Sequence, residues 1–269
     1  MPITNINGVN LNYELTGQGQ AVVFLHGGNG NTQDWVNQIP VLSSKYKAVA
    51  LDIRGHGKSE TPKVEEEYSI PIIAEDVLGL INLLAINKCC LIGHSFGGFV
   101  AIQFAITHQD RLAGLILVDT SSGPYILDTK TSKLTEKLVE LASSRGMEAV
   151  FSYNARHNPE NVEKFKNNPQ FREASRQTMS MMSVAAFIWG SRAVAKWQSV
   201  TPRLSEIRVP TLIFRGEEDK RFTTAIRILH KGILGSVLIT VKGVGHCPHQ
   251  EAPDVFNRTL LKFLGSVWS

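Results

Sequence analysis

The chain has 269 residues, of which 43% are hydrophobic and 19% charged, with a formal net charge of +4 at pH 7. That length accommodates one large α/β domain or two ordinary ones, and the composition suits a globular chain with a substantial core. The basic residues are scattered (Lys130, Lys133, Lys137, Arg172, Arg176) with no long run, so nothing points to a nucleic-acid partner or an anionic membrane surface.

No stretch is long and apolar enough to suggest a membrane span. The opening "MPITNINGVNLNYELTG" has neither the basic nor the apolar region of a secretory signal. Of the three cysteines, Cys89 and Cys90 are adjacent and would face opposite sides of a strand, which suits neither a disulfide framework nor a metal clamp. A cytoplasmic protein is therefore expected, with monomer or homodimer left open.

In chain order, a hairpin around "NGVN" leads into strands at about Asn10–Leu15, Ala21–Leu25, Ala48–Leu51, Cys89–Ile92, Gly114–Val118, Thr211–Phe214 and Val237–Val241. From the second onward most are continuous apolar runs, not alternating ones. Both faces are thus expected to be buried, as in a mainly parallel sheet covered by helices. Ser69 is placed to cap a helix in which Ile73, Val77, Leu80, Ile81 and Leu84 form a core-facing stripe. A last helix follows Pro253 and Asp254 and turns Phe256, Leu260, Leu261 and Phe263 inward. Such alternation predicts a doubly wound α/β sheet.

The rhythm breaks between Ser121 and Arg208, where no convincing strand occurs. Helical patterns appear instead at Lys133–Ser144, Met147–Tyr153, Pro159–Asn167, Phe171–Ser183 and Val184–Gln198. A loop of that length is abnormal in a compact domain, so a helical lid is expected over residues 121–205, inserted into a core formed by 1–120 and 206–269.

"CCLIGHSFGGFVAIQFA" (residues 89 to 105) joins a buried strand directly to a helix. So abrupt a reversal puts Ser95 in strained backbone geometry, and its neighbours pack closely enough to require glycine two positions before and two after, at Gly93 and Gly97. The bend lifts the serine hydroxyl above the sheet edge, where ligands bind in open α/β folds, and aims the Phe96 N–H at the same point. By itself a G-x-S-x-G pattern is weak. Other residues strengthen it: "FLHGG" places His26, Gly27 and Gly28 after one strand, and "LDIRGHGKS" places Asp52, Arg54 and His56 after the next. "FRGEED" places Asp219 after a late strand, and "GVGHCPHQEAP" places His246 after the last.

Together these motifs closely resemble the α/β-hydrolase superfamily over about residues 8–120 and 206–265, in the order serine, acid, histidine. The resemblance implies an eight-stranded, mainly parallel sheet with a helical cap inserted after the sixth strand. It further implies Ser95 as nucleophile, His246 as base and Asp219 as the orienting acid, with Asp119 as runner-up acid. Gly28 and Phe96 would supply the amides of an oxyanion hole, Gly28 approaching closely for want of a Cβ. His26 is expected to brace its loop, His94 to pack or hydrogen-bond, and Asp52, Arg54 and His56 to hold the loops. His249 is expected at the rim or surface. Asp219 lacks the proline that relatives often carry about three residues on; here the chain reads Lys220, Arg221, Phe222, Thr223.

Serine at the elbow, where dehalogenases and epoxide hydrolases of the superfamily carry aspartate, points to acyl chemistry. The expectation is a serine hydrolase cleaving a small, mostly apolar ester or lactone through an acyl-enzyme, with one or two of Met182, Phe187 and Trp189 reaching substrate. The alternatives keep the three residues: a C–C hydrolase, a hydroxynitrile lyase, a cofactor-free haloperoxidase, an acyltransferase, or a ligand sensor with slow turnover. No cluster with metal-ligand spacing is visible, and no cofactor is implied.

Overall fold

Asn7 and Gly8 take positive φ values, 51° and 82°, and close a two-residue hairpin of the kind an Asn-Gly pair favours. In the computed structural model, which describes residues 3–124 and 129–269, this hairpin joins β1 (Ile3–Ile6) to β2 (Val9–Thr16). After β3 (Gln20–Leu25) come α1 (Ile39–Leu42), β4 (Tyr46–Leu51), α2 (Ile70–Leu83), β5 (Cys89–His94), α3 (Phe96–Thr107) and β6 (Leu112–Val118). Among the described residues, four helices then follow without a strand: α4 (Thr129–His157), α5 (Pro159–Asn167), α6 (Pro169–Ser180) and α7 (Val184–Lys196). The chain returns to the sheet with β7 (Thr211–Gly216), α8 (Thr223–Gly232) and β8 (Val237–Val241), and ends with α9 (Pro248–Glu251) and α10 (Pro253–Val267).

The eight strands stand in the order β1-β2-β4-β3-β5-β6-β7-β8. β1 and β2 pair antiparallel, as do β2 and β4; every other pair is parallel. The parallel strands therefore deliver their carboxyl ends to one edge, where open α/β sheets bind ligands.

Continuous apolar runs are needed because each central strand feeds two cores. Val23 and Leu25 of β3, with Leu91 of β5, pack on one face, while Val22, Phe24 and Ile92 pack on the other. Cys89 and Cys90 divide in the same way, and both are free thiols. α2 covers the first face through Ile73, Val77, Leu80 and Ile81, and the Ser69 hydroxyl caps it by accepting the Ile72 N–H at 3.3 Å. α10 covers the second through Phe256, Leu260 and Leu264.

The helical segment between β6 and β7 fits a cap. α4 is interrupted at Gly146, whose φ of 75° and ψ of −177° are not helical, at the point where the apolar pattern lapses between Ser144 and Met147. Asn168 caps α6 by accepting the Phe171 N–H at 2.9 Å, so that helix begins slightly ahead of its first apolar residue. Met147, Phe151, Phe165 and Met179 are buried in the same cluster as the first face of the sheet. No helix among the described residues is long and apolar enough to cross a membrane.

Candidate active site

The turn from β5 into α3 places Ser95 at φ 50° and ψ −110°, a region that side-chain-bearing residues avoid. The surroundings enforce it. A Cβ on Gly93 would lie 2.3 Å from the Gly97 carbonyl oxygen, and one on Gly97 would lie 2.4 Å from that of Leu25. Ser95 N–H donates to the Val118 carbonyl at 2.9 Å, and the Thr120 hydroxyl donates to the Ser95 carbonyl at 2.8 Å. The serine is thus tied at both ends of its backbone, to the last residue of β6 and to the loop just beyond it.

Phe96 opens α3, where an N–H has no acceptor inside the helix. Gly28 lies opposite it on the loop after β3. A Cβ there would sit 3.5 Å from Phe96 Cβ, ordinary contact, so close approach does not explain this glycine. The tight position is Gly27, where a Cβ would come within 2.8 Å of His94 Nδ1. Two imidazoles brace the loop. His26 Nε2 accepts the Ile53 N–H at 3.0 Å, which leaves Nδ1 to donate to the Gly27 carbonyl at 2.7 Å. His56 Nε2 donates to the Gly28 carbonyl at 2.9 Å, with Tyr68 Oη 3.4 Å from Nδ1. Burial drives the pKa of both rings down, His26 to about 3, which keeps them neutral.

Asp52 and Arg54 hold the next loop. Asp52 accepts the Thr32 and Lys58 N–H groups and the Asn12 amide, and Arg54 forms a buried bidentate pair with Asp76 at 2.6 Å.

Beyond β7 and β8, His246 Nδ1 stands 2.5 Å from Asp219 Oδ2, and Asp219 Oδ1 accepts the Phe222 N–H at 3.3 Å. Burial pushes the Asp219 carboxyl up, but the hydrogen bond and charge of His246 outweigh it and hold the carboxyl below its usual range. Asp119 sits nearby at the end of β6, with a φ of 39°, but spends both oxygens on the Gly216 N–H, at 3.0 and 3.3 Å. Burial, reinforced by the Asp219 charge, pushes its carboxyl well up. The residues that replace the expected proline close the site: the buried Phe222 ring lies parallel to His246, with centroids 5.2 Å apart.

His249 departs from expectation. It is fully buried, not at the rim, and packs against Trp35 and His94 with centroids at 4.5 and 4.6 Å. Its ring nitrogens have no hydrogen-bond partner among the described residues, and burial lowers its pKa to about 3. His94 uses Nε2 to reach the His246 carbonyl at 2.8 Å. Glu251, which is not among the residues expected at the site, accepts the N–H groups of Gly245 and Cys247 on either side of His246. Its signal was an acid five residues beyond the histidine in "HCPHQE".

A cavity of about 1040 Å³ lies between the sheet edge and the helical segment, and Gly28, Ser95, Phe96, Asp219 and His246 all line it. Met182 and Phe187 line it as well. Trp189 is not among its lining residues; it packs, partly buried, against the core, because a helical segment must fill its own interior.

Among the described residues, folding also assembles two donor groups that sequence spacing does not disclose: Asp34 with His94 and His249, and Asp119 with Asp219 and His246. In each, the donor atoms lie within 4.8 Å of one another. The second is largely committed to the contacts just described. In the first, burial keeps both imidazoles neutral and raises the Asp34 carboxyl to about 7, so all three groups favour their uncharged forms.

Residues 20–253 match the family model described as alpha/beta hydrolase fold, and the chain belongs to that family. Its class is accordingly that of a hydrolase acting on a small molecule. Among curated relatives, a 2-hydroxy-6-oxo-6-phenylhexa-2,4-dienoate hydrolase of Comamonas testosteroni is 30% identical over 94% of this chain and 91% of its own length. A proline iminopeptidase of Saccharolobus solfataricus is 28% identical, over 98% of this chain and 92% of its own. Among solved structures, a thermophilic esterase from Thermogutta terrifontis superposes with a TM-score of 0.85 at 26% identity, covering 99% of this chain and 97% of that one.

Proposed function

We propose that this protein is a serine hydrolase that cleaves a small, mostly apolar carboxylic ester or lactone through an acyl-enzyme. The observation that carries this reading is the Asp219–His246 contact of 2.5 Å, which opens into the same cavity as a serine held at a strained elbow.

A serine hydroxyl is a weak nucleophile until a base takes its proton. With Nδ1 engaged by the Asp219 carboxylate, His246 has its Nε2 lone pair for that proton, and the carboxylate stabilises the imidazolium that forms. Ser95 Oγ then adds to the carbonyl carbon, and the negative oxygen is met by the N–H groups of Gly28 and Phe96. One such donor contributes roughly 3 kcal/mol to the transition state, because it is fixed before charge develops. His246 returns the proton to the leaving alcohol, and water, activated by the same imidazole, releases the acid. Met182 and Phe187 supply apolar contact for the acyl or alcohol part.

A second reading keeps these residues and replaces the ester with an oxo-dienoic acid, the substrate class in the Comamonas relative's name. A parallel panel of p-nitrophenyl esters, lactones and a 2-hydroxy-6-oxo-dienoate separates the two. The ester reading expects a pre-steady-state burst of p-nitrophenol followed by steady turnover in wild type, and neither in Ser95→Ala. Turnover of the dienoate alone would replace it with the second reading.

A further inference from the structure

His246 stands on a loop beyond β8, outside any helix or strand, yet the amides on both sides of it share one acceptor. Gly245 N–H donates to Glu251 Oε2 at 3.0 Å, and Cys247 N–H donates to Oε1 at 3.1 Å. Two amides converging on one carboxylate fix the Val244–Gly245 and His246–Cys247 peptide planes, which bracket His246 and limit the direction in which its side chain leaves the backbone. His94 Nε2 holds the intervening carbonyl from the other side, at 2.8 Å. Only a carboxylate suits this place, since both of its oxygens accept and neither carries a proton to clash with an N–H.

Glu251 also has a partner on the helical segment. Lys164 Nζ on α5 lies 2.7 Å from Oε1 and also sits over the Phe171 ring, 4.2 Å from its centroid. The two charged side chains are only 25% and 22% exposed, so solvent screens this pair less than an open surface bridge. Burial raises the Glu251 carboxyl, but Lys164 and the two amides outweigh it and hold the group below its usual range.

We propose that Glu251 is a positioning residue for the reaction at Ser95, aligning His246 through the amides that flank it. Lys164 then makes that alignment depend on the seating of the helical segment over the cavity. The inference rests on the reading of Ser95 and His246 given above.

The test uses p-nitrophenyl acetate with the full chain. Glu251→Gln preserves shape but turns an NH₂ toward one of the two amides, so one of the two bonds is lost. A displacement of His246 on the order of 1 Å lowers kcat by about 100-fold, and KM should stay within about threefold because glutamine, at a position that lines the cavity, keeps the size and shape of the side chain. Lys164→Gln should lower kcat in the same direction by less. The swap Glu251→Lys with Lys164→Glu restores the ion pair but not the acceptor, so Tm should recover toward wild type while kcat stays low. Recovery of kcat along with Tm would overturn the proposal, reducing Glu251 to a structural tie, and so would wild-type kcat in Glu251→Gln. Failure of wild type itself to be labelled at Ser95 by a fluorophosphonate is a separate result, which removes the underlying reading and this inference with it.

Discussion

Ser95 holds its hydroxyl outward at the expense of backbone strain, and the size of that strain is measurable. A residue in so sparsely populated a region is destabilised by about 1–3 kcal/mol, whereas glycine adopts it freely but adds roughly 0.5–1 kcal/mol of unfolded-state entropy. The first effect is larger. Ser95→Gly should therefore be more stable than wild type by about 1 kcal/mol and inactive, a combination that chemical denaturation and an ester assay check together. Ser95→Ala and His246→Ala should each remove nearly all activity, and the double variant should be scarcely worse, because groups that act as a unit do not lose activity additively. Additive losses in that cycle would count against the pairing. Asp219 and Asp119 both follow strands of the same sheet edge, which is why the sequence favours the first and keeps the second as runner-up; their contacts differ, since one meets His246 and the other is spent on the Gly216 N–H.

At the scale of elements, the elbow works because α3 lies almost on top of β3 and β5. Gly97 is the pivot, where a Cβ would stand 2.4 Å from the Leu25 carbonyl oxygen, an atom of the sheet that cannot turn aside. Gly97→Ala should push α3 outward and destabilise the protein by roughly 1–3 kcal/mol, with a larger loss of kcat than of stability because Phe96 N–H moves with the helix. Gly28→Ala makes the contrasting case. Its new Cβ meets Phe96 at an ordinary 3.5 Å, so folding should be nearly unchanged. The strand-to-helix rhythm that exposes the elbow is readable because buried strands and amphipathic helices leave different apolar periods. The helical segment is less readable. Its apolar residues serve its own core and the cavity alike, so Trp189 and Phe187 look equivalent in sequence although only Phe187 lines the cavity. His249 is a related case: three residues past His246 it resembles a surface loop histidine, and only the fold shows it enclosed by Trp35 and His94.

The whole molecule carries several imidazoles that burial keeps neutral, and this couples its stability to pH. His249 takes a proton only near pH 3 when folded but near 6.5 when unfolded. Between those values the unfolded state binds more protons, so stability falls as pH falls. Asp34 acts in the opposite sense, because burial raises its carboxyl to about 7 and the folded state keeps that proton. The two are separated by a difference between variants. At pH 5 the His249 contribution amounts to about 2 kcal/mol, so His249→Phe should gain roughly that much relative to wild type between pH 8 and pH 5 in urea unfolding. An unchanged difference at the two pH values would mean that His249 is protonated in the folded protein.

The chemistry turns on a single oxygen, and mass spectrometry of the protein after brief exposure to a fluorophosphonate reads it out. One covalent adduct is expected on the peptide containing Ser95, formed rapidly in wild type and nearly abolished in His246→Ala. No adduct on Ser95, or equally rapid labelling without His246, would contradict it.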